Sequence, residues 1–437
     1  MSYLSTQSYK GTRDFYPADM RLRNWMFGKL RNVVSQYGYQ EYEGPMMEPF
    51  ELYAAKSGEE LVSQQLYWMM DRGERKIAVR PEMTPTLARM VAAQVHELPR
   101  PVRLYSIPNL WRYERPQKGR LREFWQPNVD VLGGDPALAD AEILSVAYDI
   151  IESFGGGKFI EIRVNNRKLM DQYFKKIGIH DSKAALKLVK LIDARSKIGE
   201  EKFNIEIQSL NIQKEYEVLN VLYGDDIICT PDLNLVRDIV GDKNEGLEEL
   251  KQVFNALKGT PAEKVVVFDP SVVRGLDYYT GTVFEIYDTS GENPRAMFGG
   301  GRYDNLIGMF GKETLSGVGF GMGDVGLQNF LETHKLIPEF KSAIDVFVTL
   351  PKKELFPTAQ SIAQELRASG VSVMTPLSDG GFGTQLKQSS KHNCRYTVLL
   401  GDAELAKKSV MVKDMGSQEQ TEVKISELVS WVKGKIK

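Results

Sequence analysis

From Trp111 to Asp130 the chain reads WRYERPQKGRLREFWQPNVD. Between Arg112 and Arg122 five residues are basic and one is acidic, in a chain whose formal net charge is -2. Forked guanidinium groups spaced along a hairpin can reach several phosphate oxygens with charge-assisted bonds. An aromatic such as Phe124 offers a planar base a face to stack on. The pattern predicts a strand–loop–strand hairpin that holds an anion at one end and a flat ring at the other. The plainer alternative is a solvated basic loop, which the framing by Trp111, Tyr113, Phe124 and Trp125 disfavours.

Two further stretches carry polar groups among strand formers. VVRGLDYYTGTVFEIY, residues 272–287, sets Arg274 and Asp277 beside paired tyrosines. If buried, those groups need partners, and a structural Arg–Asp pair would satisfy that need too. RPEMTPTLAR, residues 80–89, places Glu82 and Thr84 between a strand pattern and a helical one. A helix cap would explain Thr84 equally well. The glycine-rich stretches GVGFGMG (317–323) and FGGGRYDNLIGMFGKE (298–313) fit neither familiar phosphate loop. The first puts Met322 where a third fingerprint glycine belongs, and the second lacks the G-K-[ST] ending. Close backbone packing at turns and strand ends is the expectation for both. His96, His180, His334 and His392 show no metal-ligand spacing, so a His/Cys metal site is not expected.

The elements that must position these residues can be read from periodicity. A chain of 437 residues is too long for one core, so two or three domains are expected. Apolar and charged contents of 42% and 26% describe an ordinary soluble protein. No apolar run approaches the ~18–20 residues that span a bilayer, and the first residues resemble neither a signal nor a transit peptide. Cys229 and Cys394 stand far apart, which fits a reducing compartment; the expectation is cytoplasmic, with no membrane. Residues 21–37 read as an amphipathic helix closed by Gly38. KIAVRPEMT, VRLYSIPNLWRYE and EFWQPNVDVLGG read as strands, and PALADAEILSVAYDIIESFG as a helix. From 167 to about 258, Lys, Glu, Leu and Ile recur at helical spacing, as in a helical insertion. Strand patterns resume at KVVVFD, VFEIYD and RAMFGGG. Strands and helices then alternate from Ser342 to Lys437, predicting an α/β unit with a mainly parallel sheet. That unit holds 13 Lys or Arg against 10 Asp or Glu.

Taken together, these stretches resemble the histidyl-tRNA synthetases, a family of class II aminoacyl-tRNA synthetases. KGTRDFYP resembles the family's opening, YGYQEYEGPMMEP its motif 1, and RPEMT its substrate-amine segment. RYERPQKGRLREFWQ resembles motif 2, while RGLDYYTGTVFE and GGGRYDNL are similar to the histidine-specific signature and glycine-rich stretch. The C-terminal unit resembles an anticodon-binding domain. The resemblance implies an α+β fold, an antiparallel sheet flanked by helices, interrupted by the insertion. Its division would be a first catalytic part at 1–166, the insertion at 167–258, a second catalytic part at 259–333 and the anticodon-binding domain at 342–437. It also implies a homodimer formed through motif 1.

The implied reaction has ATP and histidine as substrates, with Mg²⁺ on the pyrophosphate and no protein ligands for it identified. Histidyl-adenylate forms, and histidine passes to the 3′ end of tRNA(His). By resemblance Arg112 and Arg274 are catalytic, contacting the α-phosphate from two sides. Arg112, Glu114, Arg120 and Phe124 would bind ATP. Glu82, Thr84 and Gln126 would hold the α-ammonium group, with Arg274 also on the histidine side. Asp130 and Tyr279 would read the imidazole, and Arg115 and Gln117 would meet the tRNA acceptor end. Many relatives carry Glu where this chain has Asp130.

One departure stands out. Motif 3 usually supplies an arginine for the ATP γ-phosphate, yet here it reads GVGFGMGDVGLQNFL with Asp324–Val325 in place of an acidic–Arg pair. There is no arginine from Tyr303 to Leu366. Another cation such as Arg120 or Arg302 would then substitute, or ATP would bind more weakly. The alternative function is that of the family's non-catalytic paralogue, a regulatory subunit of ATP phosphoribosyltransferase. That paralogue typically lacks the C-terminal domain and has an eroded histidine signature, both of which this chain keeps.

Overall fold

The structure is a computed structural model, and it describes residues 4–55, 57–58, 61–117, 119–176, 178–209, 230, 232–241, 243–273, 278–340 and 343–436. The chain folds as two compact units, Met1–Ile337 and Pro338–Lys437.

In the first unit the helical pattern near the N-terminus becomes the helix Pro17–Gln36, which buries Met26, Phe27, Leu30, Val33 and Val34. Proline at its start has its φ pre-set for a helix and loses no needed donor. Gly38 stops it with φ of +82°. That left-handed turn returns the Gly38 and Tyr39 N–H groups to the Ser35 and Val34 carbonyls.

The strand patterns assemble into one eight-stranded sheet. Its order is Gln40–Glu41, Val102–Ser106, Asn128–Leu132, Gly317–Gly321, Phe298–Tyr303, Thr282–Asp288, Ile160–Asn166 and Val266–Phe268. The six inner strands are antiparallel to their neighbours, and each edge strand joins in parallel. The antiparallel core implied by the resemblance is therefore present.

Register decides what each face of the sheet can do, because cross-strand partners share a face. One face carries the rows Ser106–Asn128–Gly321–Gly299, Leu104–Asp130–Gly319–Gly301 and Val102–Leu132–Gly317–Tyr303. Intervening residues point the other way. Val129, Val131, Val318, Phe320, Phe284, Ile286, Ile162 and Val164 meet Ile143, Leu144, Ala147 and Ile150 of the helix Pro136–Glu152. Burying each such side chain contributes roughly 1.5–3 kcal/mol. This anchors one face and leaves the glycine-rich face open for chemistry.

Residues of the lysine-rich stretch form the helices Arg167–Lys176, Ser182–Ile198, Glu200–Ser209, Leu233–Val240 and Glu245–Leu257. Leu169, Met170, Leu247, Leu250 and Val253 join the same core as the sheet. Two smaller sheets complete the unit. Met47–Pro49, Lys76–Val79 and Trp68–Met70 make one, with Lys76–Val79 in the middle; Asn109–Trp111 and Glu123–Trp125 make the other, a hairpin.

The second unit has five strands in the order Val373–Met374, Val346–Val348, Tyr396–Leu399, Ser409–Asp414 and Gln420–Lys424. The first two pairings are parallel and the last two antiparallel. The expectation of a mainly parallel sheet is corrected to a mixed one. Long helical crossovers, Phe356–Ala368 and Phe382–Lys391, precede the parallel additions, whereas a five-residue turn joins the final two strands. A connection that short permits only antiparallel pairing.

Candidate active site

The site grows from the hairpin. Leu110 pairs with Phe124 and Trp111 with Glu123, and the Arg112 N–H bonds the Arg122 carbonyl at 2.9 Å, extending the ladder by one rung. Arg112 is half-buried and its Nε donates to the Pro81 carbonyl at 2.9 Å. Its guanidinium carbon lies 5.4 Å from the centre of the Phe124 ring, a cation–π distance. Among the described residues its terminal nitrogens have no protein partner.

The five basic residues of the hairpin divide by task. Arg122 holds the loop: its Nε donates to the Glu114 carbonyl, its Nη1 to the Tyr9 hydroxyl, and its guanidinium stacks 4.1 Å from the Tyr113 ring. Arg115 and Arg120 stay exposed, as does Gln117, which closes the tip by two backbone bonds with Arg120 around Gly119 at φ +81°. Arg120 reaches Glu114 at 3.5 Å. Lys118 lies outside the described residues.

A second cluster sits on the substrate-amine segment. Glu82 is buried and accepts bonds from the Ser57 hydroxyl at 2.5 Å and the Tyr278 hydroxyl at 3.0 Å. Thr84 begins the helix Thr84–Ala93, while Met83 takes the cap position without a side-chain bond. The capping account of Thr84 therefore does not hold. Tyr278 stands 4.9 Å from Tyr279 and 6.1 Å from Tyr303, ring centre to ring centre.

Tyr303 leads to the third cluster. Its hydroxyl donates to Asp130 Oδ1 at 2.6 Å, with both side chains buried. Burial pushes the Asp130 carboxyl up to about 7, opposed by the Tyr303 hydrogen bond. Gln126 Nε2 donates to Asn128 Oδ1 at 3.1 Å, on the same face. So Glu82, Asp130 and Tyr279 are joined through Tyr278 and Tyr303, Gln126 lies beside Asn128 on the same face, and Thr84 opens the helix two residues after Glu82. Arg274, expected to complete the group, lies outside the described residues, as does Asp277.

The glycines turn out to be the floor of this site. A methyl group on Gly319 would overlap the Asp130 carboxylate, and one on Gly321 would overlap the Gln126 amide. At Gly301 it would come within 2.8 Å of the Tyr279 ring. Close packing was the expectation, and it occurs, against the side chains of candidate site residues. Each bare position makes room for one candidate ligand-binding residue. Sequence reading missed this role, and it missed Ser57, Tyr278, Tyr303 and Asn128. The signal lay in register: Gly319 pairs directly with Asp130, and Gly321 with Asn128.

Of the two cations offered in place of a motif 3 arginine, Arg302 is turned away from the glycine-rich face. It faces the core, 6% exposed, with Nη2 2.6 Å from Asp140 Oδ1, and it also bonds Ser316 and the Pro136 carbonyl. Alternation along the strand Phe298–Tyr303 sends it to the opposite face from Gly301 and Tyr303. Among the described residues no group of three His, Cys, Asp or Glu side chains could hold a metal ion.

An antiparallel sheet with a glycine floor, a basic hairpin between two of its strands and a separate mixed-sheet unit is the architecture of a class II aminoacyl-tRNA synthetase. Residues 11–323 match the family model described as histidyl-tRNA synthetase, and 345–435 match that of an anticodon binding domain. The chain is 44% identical over 431 residues to the histidine–tRNA ligase of Leptospira biflexa, spanning 98% of both chains. To that of Haloarcula marismortui it is 36% identical over 426 residues, 96% of each. The solved histidyl-tRNA synthetase from Nostoc sp. PCC 7120 superposes with a TM-score of 0.82 at 26% identity, covering 99% of this chain and 100% of that one. This chain belongs to the histidyl-tRNA synthetase family.

Proposed function

We propose that the chain is a histidine–tRNA ligase that activates histidine with ATP and transfers it to tRNA(His). The observation that carries this reading is the buried Asp130 carboxylate, set among tyrosines on a glycine floor beside the Arg112–Phe124 hairpin. The match of residues 345–435 to an anticodon binding domain favours the ligase over the non-catalytic regulatory paralogue.

In the first step the histidine carboxylate attacks the α-phosphorus of ATP and pyrophosphate leaves. The nucleophile arrives ionised, so the protein supplies orientation and charge stabilisation rather than a base. Arg112, tied to Pro81 by Nε alone, keeps its terminal nitrogens for the α-phosphate. Arg274 takes the opposite side on the strength of the signature resemblance. Phe124 stacks the adenine and Glu114 hydrogen-bonds it, while exposed Arg120 reaches the terminal phosphates. Glu82, Thr84 and Gln126 hold the α-ammonium group. Asp130 accepts the imidazole N–H, and Tyr279 pairs with a ring nitrogen. An amino acid lacking those groups leaves both partners unpaired, which can discriminate by about 10⁴–10⁵. Mg²⁺ enters on the phosphates of ATP as part of the substrate.

In the second step the terminal ribose hydroxyl of the tRNA attacks the adenylate carbonyl. Arg115 and Gln117, exposed at the hairpin, meet the acceptor end. A homodimer fits the exposed apolar side chains of the small sheet, Met47, Trp68, Met69 and Met70, with Met46 just before it. The cytoplasm is the proposed compartment, from the two widely separated cysteines.

The test is ATP–pyrophosphate exchange with Mg²⁺ and each proteinogenic amino acid in turn. Exchange with histidine alone is expected, and its loss in Arg274→Ala without loss of fold. No exchange from folded protein that still binds histidine would move the assignment to the regulatory paralogue.

A further inference from the structure

Asp130 stands one methylene short of the glutamate that many relatives carry, and a short arm needs something to fix its reach. Its Oδ1 is held from two sides. The Tyr303 hydroxyl donates to it at 2.6 Å, and the backbone of Gly319, its direct partner on the next strand, lies so close that a side chain there would overlap it. Among the described residues no donor reaches Oδ2. A carboxylate gripped by one oxygen has a defined direction for the other.

We infer that Tyr303 is a positioning residue of the histidine pocket, whose hydroxyl aims the short Asp130 carboxylate at the imidazole and favours its anionic form. The inference rests on the reading that Asp130 binds the imidazole. It assigns the tyrosine of GGGRYDNL a task in amino-acid selection, distinct from that of Tyr279, which would touch the ring itself.

Surroundings support the second half of the statement. Among the described residues the titratable groups that interact with Asp130 are phenols: Tyr303 from the strand Phe298–Tyr303, Tyr42, and at longer range Tyr39, whose hydroxyl is bonded to Glu142. Tyr278, beside Tyr303, is bonded to Glu82. Burial raises all four phenols, so they stay neutral while Asp130 titrates. Among the described residues no cation offsets its desolvation. Among the described residues the interaction that favours the charged form is the Tyr303 bond, and burial still leaves the carboxyl at about 7. Removing that bond sends it higher, so at neutral pH a larger share of Asp130 is protonated and cannot accept the imidazole N–H.

The experiment is equilibrium histidine binding to the full chain, wild type, Tyr303→Phe and Asp130→Asn, by titration calorimetry from pH 6 to pH 9. A hydrogen bond to a charged group is worth enough to predict about tenfold or more weaker binding by Tyr303→Phe near pH 7. The ratio to wild type should then shrink towards pH 9, where Asp130 is ionised in both proteins. Histidine's own titration is common to both and divides out. A loss of the same factor at every pH would make Tyr303 a merely structural residue and overturn the inference. So would unchanged binding by Tyr303→Phe while Asp130→Asn binds poorly. Unchanged binding by Asp130→Asn would instead remove the underlying reading of Asp130.

Discussion

Arg13 Nη2 lies 2.7 Å from Asp324 Oδ2, joining residues 311 positions apart. Asp324 opens the helix Asp324–Thr333, where a negative charge suits the helix dipole, and its other oxygen accepts the Trp125 N–H at 3.1 Å. Burial pushes its carboxyl up and the Arg13 guanidinium pulls it back down. The same N-terminal segment supplies the Gly11 carbonyl to the N–H groups of Arg122 and Glu123. Where the resemblance leads to the expectation of an acidic–Arg pair, this chain has Asp324–Val325, and Asp324 ties the N-terminal segment to the hairpin's return strand.

Breaking such a pair from one side should be worse than removing both charges. Asp324 is 3% exposed at its side chain, so Arg13→Met strands a buried carboxylate and should lower stability by about 3–5 kcal/mol. Asp324→Asn keeps an acceptor for Trp125, and adding it to Arg13→Met should restore much of the loss. A double-mutant cycle in urea checks this; additive effects would mean the pair is not coupled.

The two cations proposed for the terminal phosphates can be separated by where they fail. Arg302→Gln should destabilise the fold on a similar scale, because Asp140 is left buried and unpaired, with no selective change in KM for ATP. Arg120→Ala, at an exposed position, should leave the melting temperature unchanged and raise KM for ATP several-fold. Steady-state pyrophosphate exchange on both variants, with thermal melts, decides between them. A selective ATP defect in Arg302→Gln would reverse the assignment.

Much of this was legible in the chain because local rules were obeyed. The helix Pro17–Gln36 has its periodicity and its glycine stop, and the hairpin announced itself by aromatics framing arginines. What stayed hidden was set by pairing between distant strands. Nothing local to Asp130 says that Gly319 will lie opposite it, or that Tyr303 will reach across an intervening strand to bond it. Arg302 misled for the same reason, since strand alternation sends it to the core while its neighbours Gly301 and Tyr303 face the site. In the C-terminal unit the alternation of strands and helices was legible, but the direction of the last two strands depended on two short connections, residues 400–408 and 415–419.

The glycine floor makes a position-specific prediction. Gly319→Ala would press on the Asp130 carboxylate and Gly321→Ala on the Gln126 amide, so both should lower kcat/KM for histidine activation by about 10²-fold or more. Gly300 differs, since an added methyl there meets only backbone, that of Gly319 and Phe320, whereas at Gly319 it meets the Val129 carbonyl as well as the carboxylate. Gly300→Ala should therefore act on the fold itself, seen as a lowered melting temperature. Should Gly319→Ala and Gly321→Ala bind and activate histidine normally, the floor would be packing alone.

Asp130 should also make the free enzyme less stable than it could be. Its carboxyl titrates near 4 in an unfolded chain and at about 7 in the folded one, so between those values the native state holds a proton that the unfolded state has released. Stability from this group is present at low pH and falls as pH rises from about 4 to about 7, by at most ~4 kcal/mol. Asp130→Asn removes the penalty while keeping an acceptor for the Tyr303 hydroxyl. The variant should be more stable than wild type at pH 8, by roughly 1–4 kcal/mol, with a smaller difference at pH 5, and should bind histidine poorly. Urea unfolding at the two pH values without histidine measures it. An Asn variant less stable than wild type at pH 8 would mean that the pocket favours the ionised carboxylate even when empty of substrate, and that burial is not what sets its charge.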